Sequence, residues 1–302
     1  MRHQALIGYV LHHKAYQEKR ALYHLFTPTH GVVHGVGKKG MPLLTRMALF
    51  ATGKGGLKTF SQPQPQHNRT NLGQITGQNL YGALYVNELL WRVLTVEDPM
   101  PMLWWAYEQT LMLLANACQN SQNSHNSHNS QNSHTLLPLA YILRCFESLL
   151  FAELGYGISF VIDEKDNAIL PTQHYCYHVN KGWVRLTKFE ALSSGSRQTT
   201  WLGADVLKLA MVNEKLAYFR LRHVDDFGRD DVGGRDVGCD DVPSHAMIDA
   251  QFVEMLHAWF ALVQPVMPAW TQLHRQVVDS LLDDKPLQSR KLWQQQRRFL
   301  SP

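Results

Sequence analysis

Two hydrophobic periods run along this chain, and the point where one gives way to the other divides it. Over the first sixty residues the apolar positions fall in short runs: "ALIGYVLHH", "RALYHLFTP", "GVVHGVG", "LLTRMALFA" and "LKTFSQ". Runs this short, bounded by turn residues, predict strands. The segments between them, "KAYQEK", "TPTHG", "GKKGMP" and "TGKGG", are polar or glycine-rich. Five short strands in a segment of this size predict a small closed barrel of the OB type over residues 1–77. Past "SQPQPQHNRTNLGQITG", a linker or an irregular strand-bearing stretch, the period lengthens. Leu80, Leu84, Leu90 and Leu94 recur at helical spacing, and residues 101–118 and 136–154 behave likewise. The expected class is therefore α+β, with residues 78–302 a mostly helical domain.

Two segments fit neither period. Residues 120–134 repeat an Asn-Ser-Gln/His triplet with nothing apolar to bury, which predicts a disordered insertion near 119–135. Residues 225–242, "DDFGRDDVGGRDVGCDDV", carry seven aspartates and predict a second, acidic insertion near 225–243. Glycine–aspartate repeats can supply oxygen ligands to calcium, but the EF-hand spacing is missing and no glutamate closes a loop.

Charge changes the picture more than composition does. The 302 residues carry 29 Lys+Arg and 25 Asp+Glu, a net of +4. Nine of the basic residues fall within residues 1–60: Arg2, Lys14, Lys19, Arg20, Lys38, Lys39, Arg46, Lys54 and Lys58. The same stretch has one acid, Glu18, and six histidines that add latent positive charge. A basic module on a near-neutral body is the footprint of polyanion binding. Tyr9, Tyr16, Tyr23, Phe26 and Phe60 are interleaved with the cations, as a single-strand-binding barrel requires. Most of these rings are expected in the barrel core, which has to be filled.

Several chemistries are excluded. "ATGKGGLKTF" has lysines and glycines but not the spacing of a P-loop, and the proline-rich stretch after it cannot open the required helix. It reads instead as a hairpin turn between two strands. There is no G-x-S-x-G, no H-E-x-x-H and no convincing pairing of carboxylates with a histidine. The aspartate cluster between Asp225 and Asp241 is too repetitive for a rigid nuclease metal site. His174, Cys176 and His178 alternate along "QHYCYHV" and would share one strand face. They read as a half-buried strand with an incidental cysteine, or as three zinc ligands lacking a fourth. The four cysteines are scattered without a C-x-x-C pair, which fits reduced thiols. No long apolar stretch predicts a membrane span, and the N-terminal apolar run is too short for a secretory signal.

The stretches "LYVNELLWRVL", "LRCFESLLFAELGYGISF" and "KPLQSRKLWQQ" resemble the RecO family of bacterial recombination mediators, and "GYVLHHKAYQEKRALYHLFTPTHGVVHGVGKKG" resembles the start of that family's barrel. The four stretches fall in the family's order. The resemblance implies an N-terminal OB domain, a helical C-terminal domain, no catalysis and no cofactor. It implies binding to single- and double-stranded DNA and annealing of complementary strands. It further implies work with the partner RecR to load the RecA recombinase on DNA coated by single-strand DNA-binding protein, in the cytoplasm at the nucleoid. An OB protein for structured RNA is the alternative reading. Some family members carry a four-cysteine zinc module after the "LGYG" turn, where this chain has only "HYCYH".

On this basis the expected DNA contacts are Lys14, Arg20, Lys38, Lys39, Arg46, Lys54 and Lys58. The resemblance also implies a site for the acidic, phenylalanine-ended tail of single-strand DNA-binding protein. An apolar slot beside a cation suits such a tail, and Arg144, Phe146 and Leu150 are the expected residues.

Overall fold

The computed structural model describes residues 3–66, 75–123, 137–187, 199–228 and 248–300. The Asn/Ser/His repeat beyond Asn123 and the aspartate-rich stretch beyond Gly228 lie outside them, with the calcium and nuclease readings placed on the latter. The chain forms two compact units. One holds residues 1–139, 224–249 and 286–302, the other residues 140–223 and 250–285.

The first unit contains the barrel. β1 (Gln4–Gln17), β2 (Arg20–Thr27), β3 (Gly31–Lys38), β4 (Arg46–Thr52) and β5 (Leu57–Pro65) close in the order β1-β2-β3-β5-β4. Every pairing is antiparallel except β3 with β5. All five expected strands are present, and "TGKGG" is the turn between β4 and β5. β5 runs on through Ser61–Pro65 into the proline-rich stretch. A register shift between Ala48 and Phe50, with Gln62 at φ 50°, marks the irregularity beside Pro63.

The barrel interior is filled by Leu6, Val10, Tyr23, Leu25, Val33, Met47, Leu49 and Phe60. Gly35 makes this possible: a Cβ there would sit 2.4 Å from the Phe60 ring, so only glycine lets the ring cross β3. Four of the five interleaved aromatics, Tyr9, Tyr23, Phe26 and Phe60, are at most 4 % exposed; only Tyr16, at 57 %, is open to solvent.

Helices α1 (Gly77–Val93) and α2 (Pro101–Asn123) belong to the same unit. Trp104 and Tyr107 of α2 lie against Tyr9 and Phe26, with ring centroids 5.2–5.9 Å apart, and so cover one end of the outer sheet surface. β1 is irregular between Val10 and His12, and the carbonyls of Val10 and Leu11 accept hydrogen bonds from Asn87 of α1. Asn87 is fixed in turn by the Tyr107 hydroxyl at 2.7 Å. A buried bulge is thereby satisfied rather than left open. The loop after α1 is clipped to the barrel: the Glu97 N–H donates to the Val32 carbonyl, and Gly31 (φ 59°) leaves room for the Asp98 carbonyl.

The second unit is built from α3 (Leu139–Glu153), the three-stranded sheet β6 (His174–His178), β7 (Gly182–Leu186) and β8 (Trp201–Leu202), and α4 (Gly203–Gly228), whose end passes into the first unit. Helices α5 (Ala250–Val263) and α6 (Met267–Leu281) complete it. Helix α7 (Gln288–Leu300) returns to the barrel unit. Its opening N–H groups, from Gln288 and Ser289, donate to the Glu88 carboxylate of α1 at 2.8 and 2.7 Å. A buried anion at the positive end of a helix stabilises that end and fixes α7 on α1.

Candidate nucleic-acid interface

Cross-strand partners share a face, so the register of β1, β2 and β3 lays out the barrel's outer surface in rows. One row holds His12, His24 and His34. The next holds Lys14, Leu22 and Val36. Beyond it, Arg20 stands opposite Lys38, with Gln17 on the β1 side. Lys14, Arg20, Lys38 and the following Lys39 are all exposed, and Tyr16 projects beside them. Lys54 is exposed in the β4–β5 turn that leads into Leu57, the β5 partner of His34. Five of the seven expected DNA contacts are therefore solvent-facing, four of them around one end of this sheet. Two cations in direct cross-strand opposition, Arg20 and Lys38, repel one another when nothing lies between them. A phosphate backbone removes that penalty.

The other two expected contacts point the other way. Arg46 is 7 % exposed and lies 3.6 Å from the buried Glu108 carboxylate, which also accepts the Tyr9 hydroxyl at 3.1 Å. Burial lifts the Glu108 pKa to about 7, against the opposing pull of Arg46. Lys58 alternates inward with Phe60. Its ammonium donates to the Gly55 carbonyl at 2.7 Å and pairs with Glu97 at 2.7 Å. It ties the glycine turn to the α1–α2 loop. Strand alternation could have separated Lys58 from Lys54, but nothing local marked the distant Glu97 or Glu108 as partners.

In the second unit Arg144 is buried within α3. Its guanidinium pairs with Glu147 one turn on and donates to the Thr271 carbonyl of α6 at 3.3 Å. The other Glu147 oxygen meets His274 Nδ1 at 2.8 Å, and His274 Nε2 accepts from the Trp270 indole at 2.7 Å. The indole can only donate, so Nε2 carries the lone pair and Nδ1 the proton. That tautomer is neutral. Burial, outweighing Glu147, lowers the His274 pKa in agreement. The Arg144 Nε is buried and has no hydrogen-bond partner among the described residues. Phe146 and Leu150, at 1 % and 0 % exposure, are core rather than the wall of an open slot.

His174, Cys176 and His178 do not converge as a ligand set: His174 is exposed while Cys176 is buried, its sulfur 3.3 Å from His178 Nε2. Among the described residues no group of three or more His, Cys, Asp or Glu could hold a metal ion. The sheet is instead organised around Trp183, which contacts Phe160, Tyr177 and Trp201 and donates to the Ser159 carbonyl at 2.7 Å. Cys118, Cys145 and Cys176 are buried thiols outside any disulfide among the described residues, and burial pushes the Cys145 thiol up to about 12, which makes it unreactive. No helix among the described residues is long and apolar enough to cross a membrane.

A protein of Pseudomonas putida (strain KT2440) named DNA repair protein RecO is 32 % identical over 210 residues, covering 67 % of this chain and 79 % of that protein. The chain belongs to the RecO family. The RecO protein of Vibrio parahaemolyticus is 29 % identical over 214 residues, 67 % of this chain and 76 % of the relative. That of Pseudomonas aeruginosa (strain LESB58) is 35 % identical over 173 residues, 55 % of this chain and 65 % of the relative, just under two thirds of its length. No family model matches the chain. A RecO family chain has a role in DNA repair.

Proposed function

We propose that this chain is a non-enzymatic, DNA-binding recombination mediator of the cytoplasm. In this reading residues 1–77 are the nucleic-acid-binding module and residues 78–302 the helical part. It binds single- and double-stranded DNA, anneals complementary strands and, with RecR, helps load RecA on strands coated by single-strand DNA-binding protein. The observation that carries the reading is the exposed opposition of Arg20 and Lys38, flanked by Lys14 and Lys39, on an OB barrel of a RecO family chain.

Annealing requires the repulsion between two phosphate backbones to be offset while the bases stay free to pair. Cations that touch phosphates, with few base contacts, meet both needs. A second basic surface suits the second strand. Helix α7 carries Arg290, Lys291 and Arg298 and has no acid within Gln288–Leu300. Lys291 and Arg298 are exposed, while Arg290 lies over the Tyr85 ring at 5.6 Å. A site for the tail of single-strand DNA-binding protein at Arg144 requires that side chain, buried in this fold, to be uncovered before its Nε can meet a carboxylate. Phe146 and Leu150 would support that arginine from within the core.

The test is a salt titration. Replacing Lys14, Arg20, Lys38, Lys39 and Lys54 by Ala should flatten the log–log salt slope for single-stranded DNA by about 3 to 4, since each phosphate contact adds roughly 0.7. The Arg46→Ala and Lys58→Ala variants should leave the slope in place. Annealing of complementary oligonucleotides should proceed in EDTA without nucleotide. An unchanged slope, or preferential binding of structured RNA at equal salt, would sink the reading.

A further inference from the structure

The barrel carries a feature that lysine-mediated phosphate binding does not use. His12, His24 and His34 occupy facing positions on β1, β2 and β3. Their rings adjoin, with centroids 5.6 Å apart for His12–His24 and 4.1 Å for His24–His34. Trp91 of α1 stacks on His12 at 4.5 Å and leans toward His24 at 5.4 Å, closing one side of the row. At the other end Leu57, 52 % exposed, continues it on β5. Each ring is half-buried, and the His24 Nδ1 is buried with no hydrogen-bond partner among the described residues.

The charges around the row are mostly positive. His13 and Lys14 on β1 act against a proton on His12. Arg20 and Lys38 on β2 and β3 lie two rows away on the same face, and Arg92 follows Trp91 on α1. On β5, Lys58 is turned inward and paired with Glu97. Among the described residues, the carboxylate acting in favour of His12 is Glu88 of α1, and it is already engaged by Gln288, Ser289 and Arg92. Burial lowers the pKa of all three histidines, and for His24, further opposed by its two neighbours, to about 4. In the free protein near neutral pH the row is therefore uncharged. An anion brought against it reverses the balance, because an opposite charge within about 4–6 Å favours the charged form of an imidazole.

A flat stacking platform for bases is disfavoured, because neighbouring rings are inclined by 64–65° and share no common face. A metal is disfavoured too, since the described residues form no ligand group of three or more. We infer that the His12–His24–His34 row, walled by Trp91, is a phosphate subsite at the inner end of the DNA path, and that it takes up a proton when a backbone phosphate docks. The inference rests on the proposed DNA-binding role of this barrel and adds a proton-linked component to it.

The test uses the full chain and a dye-labelled single-stranded oligonucleotide in EDTA, at fixed ionic strength, from about pH 8 to about pH 6. Uptake of one proton should strengthen binding of the parent by about tenfold over the part of this range where it is linked. In the variant carrying His12→Gln, His24→Gln and His34→Gln that pH-linked rise should shrink to less than about twofold. Should the triple variant fail to fold, His34→Gln alone is measured. Ring-proton NMR of the parent is then followed with and without the oligonucleotide, and DNA should raise the titration midpoints of His24 and His34. The same rise in parent and variant, a parent without pH dependence, or midpoints unmoved by DNA would overturn the subsite. A midpoint raised as far by millimolar inorganic phosphate as by DNA would overturn its assignment to the strand backbone. Failure of the parent reading looks different: the Lys14→Ala, Arg20→Ala, Lys38→Ala variant would then bind DNA undiminished at every pH.

Discussion

The barrel end and the α3–α6 cluster treat their cations in opposite ways. On the barrel, Arg20, Lys38, Lys39 and Lys14 crowd together in water with no carboxylate paired to them among the described residues. In the second unit, Arg144 is withdrawn from water and tied to Glu147, with His274 and Trp270 completing the chain of hydrogen bonds. An exposed like-charge group weakens the fold slightly and waits for an anion. A buried ion pair adds little net stability as a whole, but losing one member leaves the other charged and dry. The difference separates residues whose removal should change binding from those whose removal should change folding.

The largest effect is expected at Arg144. Arg144→Ala strips Glu147 of its guanidinium and should destabilise the protein by about 3–5 kcal/mol in urea unfolding. A loss of tail affinity would be visible only in the protein that remains folded. A change under about 1 kcal/mol would mean that Glu147 is relieved some other way, for example by protonation.

Lys58 and Lys54, four residues apart, should separate cleanly. Lys58→Ala removes the ammonium that joins Gly55 to Glu97. It should cost about 1 kcal/mol in denaturant unfolding, through the lost bonds of a buried ammonium whose partners, Gly55 and Glu97, are themselves open to water. Lys54→Ala should leave stability within about 0.5 kcal/mol and act only on DNA affinity. Equal effects on stability would break the division between inward and outward lysines.

The two units should also answer differently to acid. His12, His24, His30 and His34 in the barrel unit all have pKa values lowered chiefly by burial. The unfolded chain therefore binds these protons first as pH falls, and stability drops below about pH 6.5 toward the folded value, about 4 for His24. Glu108 has the opposite sign. Its folded pKa of about 7 exceeds the ordinary 4.5, so its contribution is lost as pH rises through that window. Four histidines against one carboxylate leave the barrel unit sensitive to acid, at less than about 1 kcal/mol each after screening. The second unit has His274 with a lowered pKa. Protection from hydrogen exchange near pH 5 should fall more in β1–β3 than in α3 and α6. The reverse order would contradict the assignment.

The smallest effect is also the most telling. Either Arg20→Ala or Lys38→Ala relieves the cross-strand repulsion and should raise the melting free energy by a few tenths of a kcal/mol, while weakening DNA binding. A loss of stability would mean that these side chains hold the barrel rather than a ligand.

The barrel was legible in the sequence because its information is local. Short apolar runs, glycine-rich connections and a break into helical spacing near Asn79 are sufficient to give five strands followed by helices. The crowding of cations in the first sixty residues was equally visible, and so was the absence of a P-loop in "ATGKGGLKTF". The direction each cation faces was not. Arg46 and Lys58 sit in the same basic module as Lys38 and Lys54, yet their partners Glu108 and Glu97 come from α2 and from the loop before it. Arg144 was readable as a cation on an apolar helix face, but Thr271 and His274 are more than a hundred residues away in sequence.

Periodicity and charge count, which depend on neighbours along the chain, thus determined the barrel strands, the first helices and the basic character of the module, but not the three-stranded sheet around β6. Burial and ion pairing depend on which surfaces meet, and only the closed tertiary structure decided them. The histidines show both limits. Their number could be counted from the sequence, but the register of three strands and the position of Trp91 put three of them in one row. A register shifted by a single residue would have turned those rings to the other face of the sheet.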